Sequence, residues 1–169
     1  STMACLAEAL GMSLPGTAAI PAVHSDRLVA AEETGKAAVR LIGSKISPRD
    51  IITHKSVENA LRVLLALSGS TNALVHLTAI AGRLGIRIPL SRFNELSDET
   101  PVLVDLKPVG EGYMEDFHAA GGMGALLREL KPLLHLDVID VEGRTLGDRL
   151  SEPLDWVDRA IIRKFDDPV

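Results

Sequence analysis

The chain opens with apolar residues at the spacing of one helix face. Met3, Leu6, Ala7 and Leu10 follow the i, i+3, i+4, i+7 pattern of an amphipathic helix. Gly11 comes directly after them, and glycine is the residue most often found just past a helix C-terminus. The pattern therefore predicts a first helix that ends at Gly11.

A second helix is predicted to begin at Ser25 or Asp26, either of which can act as the N-cap, and to run to about Ile42. Glu32 and Lys36 form a favourable i, i+4 ion pair on one side of it. Six apolar or small residues share another face: Leu28, Ala31, Gly35, Ala38, Val39 and Ile42. The segment is therefore predicted to be amphipathic.

Two further apolar stripes are separated by a short polar turn. The first stripe comprises Val57, Ala60, Leu61, Leu64 and Leu65. The second comprises Ala73, Leu77, Ile80, Ala81 and Leu84. The segment between them is Ser68-Gly69-Ser70-Thr71, which is rich in turn-forming residues. The arrangement predicts two helices joined by a tight turn.

Short apolar runs elsewhere are typical of strands. Residues 102–106, 136–141 and 160–162 fit this pattern, and the last run stands near the end of the sequence with nothing expected to pair with it. Short helices are predicted at 114–120 and 125–131. Because helical segments alternate with strands, we predict an α/β fold, a helix-rich layered arrangement with a few short, parallel strands.

Composition narrows the class of protein. Hydrophobic residues make up 46% of the 169, and 23 acidic against 18 basic residues leave a net charge of −5. No cluster of Lys and Arg stands out, which argues against a nucleic-acid-binding surface. The single cysteine excludes an intramolecular disulfide, and no apolar run approaches the roughly 20 residues of a membrane span. We therefore expect an acidic, cytoplasmic domain with neither nucleic acid nor membrane as a partner.

Both ends of the chain look internal to a longer protein. The first predicted helix begins at the first residue, and the sequence stops soon after the predicted strand at 160–162. We therefore expect the chain to be part of a larger gene product.

The turn between the two apolar stripes is the segment most suggestive of chemistry. Backbone N–H groups at a helix start have no intrahelical partner and can hold a carboxylate or phosphate, and Ser70 and Thr71 add hydroxyl groups. The alternative is structural, with Ser70 or Thr71 capping the second helix and Gly69 ending the first. The residues alone leave both interpretations open.

Other polar clusters have simpler interpretations. Glu115 and His118 show the i, i+3 spacing used in dimetal carboxylate sites, but such sites need more than one pair, so a solvated helix face is the simpler interpretation. Cys5 lies among alanines without a basic neighbour, as expected of a small buried residue rather than a nucleophile. Residues 121–124 lack the Gly-Lys-Ser/Thr of a phosphate loop and are typical of helix punctuation.

Three stretches carry a family resemblance: Ser1-Thr2-Met3-Ala4 with Glu8-Ala9-Leu10-Gly11; Ser68-Gly69-Ser70-Thr71-Asn72-Ala73 with His76-Leu77; and Met114-Glu115-Asp116 with Ala120-Gly121-Gly122. Together they resemble the dihydroxy-acid dehydratase and 6-phosphogluconate dehydratase family, in order and spacing along nearly the whole chain. Asp105-Leu106-Lys107-Pro108 and Arg163-Lys164-Phe165-Asp166-Asp167-Pro168 resemble its sugar-acid (aldonate) branch.

The resemblance implies a reaction and a place in a longer enzyme. The reaction is dehydration of a 2,3-dihydroxy sugar acid, a small molecule, to a 2-keto-3-deoxy acid by a hydro-lyase. An iron–sulfur cluster and Mg²⁺ are the implied cofactors of the full-length enzyme, and a homodimer is the implied assembly. Residues 1–150 would be the C-terminal part of the family's N-terminal α/β domain, and residues 151–169 a linker and the start of the C-terminal domain.

The resemblance also implies which chemistry this chain does not carry. The family's cluster cysteines, magnesium ligands and base serine match no residue of this sequence, and Cys5 matches no ligand position. We therefore expect no catalytic residue and no metal ligand here, and we expect the chain by itself to be inactive. Ser70, Thr71 and Asn72 are the residues that we expect to lie near the substrate.

Two other functions are alternatives. A stand-alone binding or assembly module would keep the scaffold without the chemistry and could pair through its apolar helices. An independent enzyme would use Glu115 and His118 on a metal, and it predicts stoichiometric metal in the purified chain.

Overall fold

Helices form most of the structure, a computed structural model that describes residues 1–169. Helical residues make up 51% of the chain, which confirms the helix-rich prediction. The α-helices are α1 (Thr2–Ala9), α2 (Asp26–Ile42), α3 (Pro48–Ile51), α4 (His54–Ala66), α5 (Asn72–Arg83), α6 (Leu90–Glu99), α7 (Met114–Ala119), α8 (Gly122–Glu129) and α9 (Leu146–Ser151). A 3-10 turn covers Lys131–Leu133. None of the helices has both the length and the apolar character that crossing a lipid bilayer requires.

The helix α4 lies at the centre of the core. The Thr53 hydroxyl accepts a hydrogen bond from the backbone N–H of Ser56 (3.2 Å) and so caps its first turn. Leu61, Val63 and Ala66 are fully shielded from solvent. Because α1, α5 and α6 all pack against it, α4 gathers the apolar stripes that the sequence predicts.

A buried amide ties α4 to the segment that follows the 3-10 turn. The side chain of Asn59 is fully buried, and its Nδ2 donates a hydrogen bond to the carbonyl oxygen of His135 (2.9 Å). The backbone N–H of His135 donates to Asn59 Oδ1 (2.8 Å). One side chain thus satisfies both backbone groups of His135, which would otherwise be costly to bury.

Gly11 ends α1 as predicted, in the left-handed conformation with φ +84°. The backbone N–H of Met12 donates to the carbonyl oxygen of Ala7 (2.9 Å) across this turn, and the Gly11 carbonyl accepts from Val141 (2.9 Å). A Cβ atom at Gly11 would lie 2.6 Å from the carbonyl oxygen of Ile139. The position therefore requires glycine both for its backbone conformation and for the close approach of a second backbone segment.

The predicted strands pair at single positions. Three of the four isolated bridges are antiparallel, among them Val104 with Ile162, and the bridge between Leu106 and Gly112 is parallel. The parallel strands of the prediction are therefore not confirmed. The run at 102–106 lies between two prolines, which donate no backbone hydrogen bond and so limit how far a ladder can extend.

The expectation that the run at 160–162 has no partner is wrong. Ile162 is fully buried and pairs with Val104. The backbone N–H of Arg163 also donates to the Leu103 carbonyl (2.8 Å). Partner segments so far apart in the chain leave no local pattern in the sequence, so this contact could be found only from the fold.

The sequence pattern does not reveal α6. Phe93 and Leu96 are its only buried residues, so its apolar stripe is sparse. Arg92 joins it to α4 through Glu58, with Nε 2.8 Å from Oε1. The hydrogen bond from the Arg92 guanidinium holds the pKa of the Glu58 carboxyl below its ordinary value, and His135 adds to this effect.

The helix α2 is the least buried of the long helices. It spans the predicted residues, and Lys36 Nζ lies 2.8 Å from Glu32 Oε1 as its i, i+4 spacing predicts. Ala37 is the only buried residue of the helix. The six residues that were predicted to share one face, from Leu28 to Ile42, are all exposed to solvent. This apolar face is therefore turned away from the core of the chain.

Candidate functional site

The turn between α4 and α5 begins as a well-formed helix C-terminus. The backbone N–H of Ser68 donates to the Leu65 carbonyl (3.0 Å), and that of Gly69 donates to the Leu64 carbonyl (2.9 Å). These two bonds are those of a Schellman motif, whose left-handed residue is usually glycine. Here Ser68 takes that conformation with φ +48°, the one non-glycine residue in the chain with positive φ. Such local strain is concentrated at functional sites in proteins.

The start of α1 lies directly against this turn. The Thr2 hydroxyl oxygen accepts a hydrogen bond from the backbone N–H of Ser70 (3.3 Å). A Cβ atom at Gly69 would lie 2.7 Å from both Thr2 Cγ2 and Leu64 Cδ1. The absence of a side chain at Gly69 is therefore what lets α1 and the turn approach each other.

The end of α4 also positions a third segment. The carbonyl oxygen of Ala66 accepts hydrogen bonds from the backbone N–H groups of Leu103 (3.0 Å) and Val104 (3.2 Å). The chain then continues to Lys107 and the cis peptide bond to Pro108. Residues far apart in sequence thus meet at the C-terminal end of one buried helix.

A cavity of about 540 Å³ lies where the three segments meet. We call it the turn cavity, and eleven residues line it: Thr2, Leu67, Ser68, Gly69, Ser70, Thr71, Leu106, Lys107, Pro108, Val109 and Met114. Its volume lies within the range typical of small-molecule sites. The structure therefore brings two of the three predicted residues, Ser70 and Thr71, into one cavity. Asn72 is exposed at the start of α5 and is not part of the lining.

The capping alternative accounts for only part of the turn. Ser70 Oγ accepts a hydrogen bond from the backbone N–H of Asn72 (3.3 Å), as a local cap would. Thr71 occupies the N-cap position, but its hydroxyl makes no capping hydrogen bond. The Thr71 hydroxyl at the cavity wall is thus not committed to the helix.

Lys107 supplies a positive charge at the cavity. Its Nζ donates a hydrogen bond to the Tyr113 hydroxyl (2.6 Å) and lies 4.0 Å from the centre of the Tyr113 ring. No carboxylate lies within 4.0 Å of this ammonium group, so its charge is not neutralised by an ion pair. Hydroxyl groups next to an ammonium group suit a small hydroxylated carboxylic acid.

Neither Lys107 nor Thr2 was among the substrate residues predicted from the sequence. Each lies in a stretch of the family resemblance, but nothing local to Lys107 indicates that it faces the turn. The fold brings these stretches together in space, and no single stretch of sequence indicates that contact.

A second cavity, of about 250 Å³, is lined by charged side chains that already have partners. Arg149 Nε donates to Asp140 Oδ2 (2.8 Å). Glu8 accepts hydrogen bonds from the backbone N–H groups of Gly16 (2.8 Å) and Ala18 (2.9 Å). Burial raises the pKa of the Glu8 carboxyl, and these N–H groups oppose the rise. These bonds indicate a structural role in holding the loop after α1.

The residues considered for metal chemistry do not form a metal site. Glu115 is exposed, and the His118 ring packs against the His24 ring, with centres 5.6 Å apart. No group of three or more His, Cys, Asp or Glu side chains could hold a metal ion. Burial raises the pKa of the Cys5 thiol to about 11, which disfavours the thiolate that a cluster needs. An iron–sulfur cluster or a magnesium ion does not fit the residues of this chain.

The glycines at 121–124 begin α8, in agreement with their interpretation as helix punctuation. Gly121 has φ +117° and Gly122 has φ +55°. These left-handed conformations separate α7 from α8 and favour glycine. The segment is therefore a structural junction.

The fold and the site form a helical scaffold that presents hydroxyl groups and one ammonium group to a cavity. Residues 1–149 match the family model described as "Dihydroxy-acid/6-phosphogluconate dehydratase N-terminal". The chain belongs to this family, and the resemblance to the family as a whole is confirmed.

Proteins that match 90% or more of this chain are named dihydroxy-acid dehydratases. A protein of Caldanaerobacter subterraneus subsp. tengcongensis named "Dihydroxy-acid dehydratase" is 45% identical over 170 residues, covering 99% of this chain and 30% of that protein. A protein of Methanococcoides burtonii with this name is 46% identical over 152 residues, which cover 90% of this chain and 28% of that protein. A protein of Clavibacter michiganensis subsp. michiganensis with this name is 46% identical over 172 residues, which cover 100% of this chain and 30% of that protein. The chain thus spans about 30% of the length of the curated relatives it matches.

Proposed function

We propose that this chain is part of a hydro-lyase that dehydrates a 2,3-dihydroxy acid, with a sugar acid as the substrate. In this reaction the C2 proton and the C3 hydroxyl leave as water, and the resulting enol tautomerises to the 2-keto-3-deoxy acid. The family match over residues 1–149 is the observation that carries the proposal. The sugar-acid substrate rests on the resemblance of residues 105–108 and 163–168 to the aldonate branch.

Within this proposal the turn cavity binds the substrate and performs none of the bond-breaking steps. Ser70 and Thr71 offer hydroxyl groups to the hydroxyl groups of the sugar acid, and Lys107 attracts its carboxylate. Asn72, exposed at the start of α5, contacts the part of the substrate outside the cavity. These roles are binding and orientation, which require neither a base nor a metal from this chain.

The rest of the reaction belongs to residues outside this chain. We extend the proposal to an iron–sulfur cluster and Mg²⁺ held by the full-length cytoplasmic enzyme, and to a chain that is inactive by itself. Residues 1–150 would be the C-terminal part of an N-terminal α/β domain, and residues 151–169 would lead into the next domain. Ile162 is buried and pairs with Val104, and the backbone N–H of Val169 donates to the Val102 carbonyl (2.9 Å), so residues of this segment pack on the part of the chain before it.

The test is an assay of the longer polypeptide that carries the chain. It is supplied with short-chain 2,3-dihydroxy acids and with five- and six-carbon aldonic acids, and formation of a 2-oxo acid is measured. Turnover of an aldonic acid at a higher kcat/KM than of the short acids supports the proposal. A preference for a short dihydroxy acid would contradict the proposal that the substrate is a sugar acid. No turnover of any of these acids would favour the alternative of a binding or assembly module.

Variants in the turn cavity test the residue roles. Thr71→Ala, Asn72→Ala and Lys107→Gln are expected to raise KM by about tenfold each, the loss of roughly one good polar contact. Thr78→Ala is the matched control, since Thr78 is exposed on the same helix as Asn72 and does not line the cavity. Unchanged kinetic constants in the first three variants would remove these residues from the substrate site.

A further inference from the structure

The far end of the Lys107 side chain is held by one residue, Tyr113. Lys107 is exposed at the turn cavity, and a lysine side chain in water is flexible along its whole stem. Its Nζ nevertheless donates a hydrogen bond to the Tyr113 hydroxyl (2.6 Å) and lies 4.0 Å from the centre of the Tyr113 ring. The proposed function uses this ammonium group but does not explain what keeps it at the cavity.

The loop around Lys107 fixes its backbone. The backbone N–H of Lys107 donates to the Gly112 carbonyl (2.9 Å), and that of Gly112 donates to the Asp105 carbonyl (3.1 Å). Asp105 Oδ1 accepts a hydrogen bond from the backbone N–H of Glu111 (2.9 Å). A Cβ atom at Gly110 would overlap this Oδ1, so the loop closes only with glycine there. The loop sets where the Lys107 side chain begins and leaves its far end free.

Tyr113 is itself anchored at the start of α7. Its backbone N–H donates to Asp116 Oδ2 (2.7 Å), and its carbonyl oxygen accepts from the backbone N–H of Phe117 (3.1 Å). Phe117 is fully buried, so α7 fixes the base of the Tyr113 side chain against the core. A tyrosine side chain has few torsions and is rigid once its backbone is fixed. A rigid residue thus holds the end of a flexible one.

The acceptor that Tyr113 offers is neutral. A carboxylate in its place would bind the ammonium group as an ion pair and would offset its charge. The phenolic hydroxyl accepts one hydrogen bond from Nζ and leaves the charge and the remaining N–H donors in place. Lys107 is therefore ordered without losing its attraction for an acid.

We propose that Tyr113 is a positioning residue of the substrate site, which holds the Lys107 ammonium group at the turn cavity for the carboxylate of the acid. This inference rests on the proposed function, in which Lys107 attracts that carboxylate. The gain is entropic, because a side chain that is already ordered loses less freedom when the substrate binds. Loss of Tyr113 should therefore weaken binding and leave the bond-breaking steps unchanged.

Steady-state kinetics of the longer polypeptide test this role, with the acid that it turns over at the highest kcat/KM as substrate. Tyr113→Leu is expected to raise KM about three- to tenfold and to change kcat less than about twofold, since one long side chain must then be ordered on binding. Tyr113→Phe keeps the ring and loses the acceptor, so its KM should lie between these values. Trp156→Leu removes a 63% exposed aromatic side chain outside the cavity and is the control, expected to change neither constant.

A double-mutant cycle with Lys107→Gln separates positioning from a general effect on the fold. In the Lys107→Gln background no ammonium group remains to be held, so Tyr113→Leu is expected to change KM less than about twofold. An equal rise in KM in both backgrounds would overturn the proposal, because Tyr113 would then act through the start of α7 or by touching the substrate. A fall in kcat without a rise in KM would overturn it as well.

Reductive methylation with isotope-labelled formaldehyde gives a readout that does not depend on turnover. Dimethylated lysine keeps its charge and an N–H donor, and the NMR signal of methyl groups over the face of an aromatic ring is shifted upfield. The Lys107 signal, identified by its loss in Lys107→Gln, is expected upfield of the signal of Lys45, an exposed lysine outside the cavity. It should move to the Lys45 position in Tyr113→Leu and stay upfield in Tyr113→Phe.

The two measurements distinguish failure of this inference from failure of the proposed function. An unshifted Lys107 signal in a polypeptide that turns over the acids would overturn the role of Tyr113 and leave the proposed function in place. A shifted signal in a polypeptide that turns over none of the acids would contradict the proposed function, and with it the role of Tyr113 in substrate binding.

Discussion

Gly11 offers the sharpest test of the packing between α1 and the segment at 138–141. Alanine at this position must keep φ near +84°, which costs an L-residue roughly 1–2 kcal/mol. Its Cβ atom would also lie 2.6 Å from the carbonyl oxygen of Ile139 and 3.0 Å from Asp140 Cα. Both are backbone atoms, so relief requires a movement of the chain that costs about 1–3 kcal/mol. We therefore expect Gly11→Ala to lower the free energy of unfolding by about 2–5 kcal/mol.

Two matched variants separate these contributions. Gly16 has φ +80° with no heavy atom within 4 Å of a built Cβ, so Gly16→Ala carries the backbone strain without the clash. Gly82 in α5 has neither a positive φ nor a heavy atom near a built Cβ. Gly82→Ala is therefore expected to stabilise the helix by about 0.5–1 kcal/mol. The stiffening of the unfolded chain is common to all three substitutions and cancels in the differences.

The assay is urea denaturation of all three variants at one protein concentration, with the free energy of unfolding obtained by linear extrapolation. Gly11→Ala should lose about 1–3 kcal/mol more than Gly16→Ala, since that difference is the cost of the clash alone. Equal losses would show that α1 and residues 139–140 are not in close contact. A lower free energy of unfolding for Gly82→Ala would show that the three substitutions do not separate backbone strain from other effects.

Three further expectations concern buried and charged groups. Asn59→Ala should lower the free energy of unfolding by about 2–4 kcal/mol in urea denaturation, because both backbone groups of His135 lose their partners; a loss below 1 kcal/mol would contradict this. Cys5 should react with a thiol reagent at pH 8 only after unfolding, because burial raises its pKa to about 11; labelling of the native chain within seconds would argue against that burial. The pKa of Glu58 is lowered in the fold, so its stabilising effect is present above its ordinary value of 4.5 and is lost as the pH falls below it. The difference in unfolding free energy between the chain and Glu58→Gln should therefore shrink from pH 7 to pH 3, and a constant difference would refute the ion pair with Arg92.

The long helices could be predicted because each carries its own signal. The apolar spacing in α1, α4 and α5 and the glycine at Gly11 are local features, and the structure has a helix over each of these apolar stripes. The helix α6 was missed because its buried residues are few. The pairing of Ile162 with Val104 was missed because it joins distant segments, which leave no periodicity in the sequence.

The residues of the candidate site also divide into those that a local sequence pattern predicts and those that only the fold brings together. Ser70 and Thr71 were predicted from the free backbone N–H groups of a helix start, which attract anions, and both residues line the turn cavity. Asn72 was predicted with them but lies outside the cavity, because one step along a helix turns a side chain by about 100°. Lys107 depends on the hydrogen bonds from Leu103 and Val104 to the end of α4, which no sequence pattern encodes.

The site depends on one structural feature, the C-terminal end of α4. The Ala66 carbonyl holds the segment that leads to Lys107, and the Leu64 carbonyl holds Gly69 in the turn. The start of α1, which packs on α4, contributes Thr2. Carbonyl groups at a helix end carry partial negative charge, and here they are used by backbone N–H groups from two segments rather than by solvent. The cavity can therefore present hydroxyl groups and a cation to an acid, while the Leu64, Leu65 and Ala66 carbonyls already accept backbone hydrogen bonds.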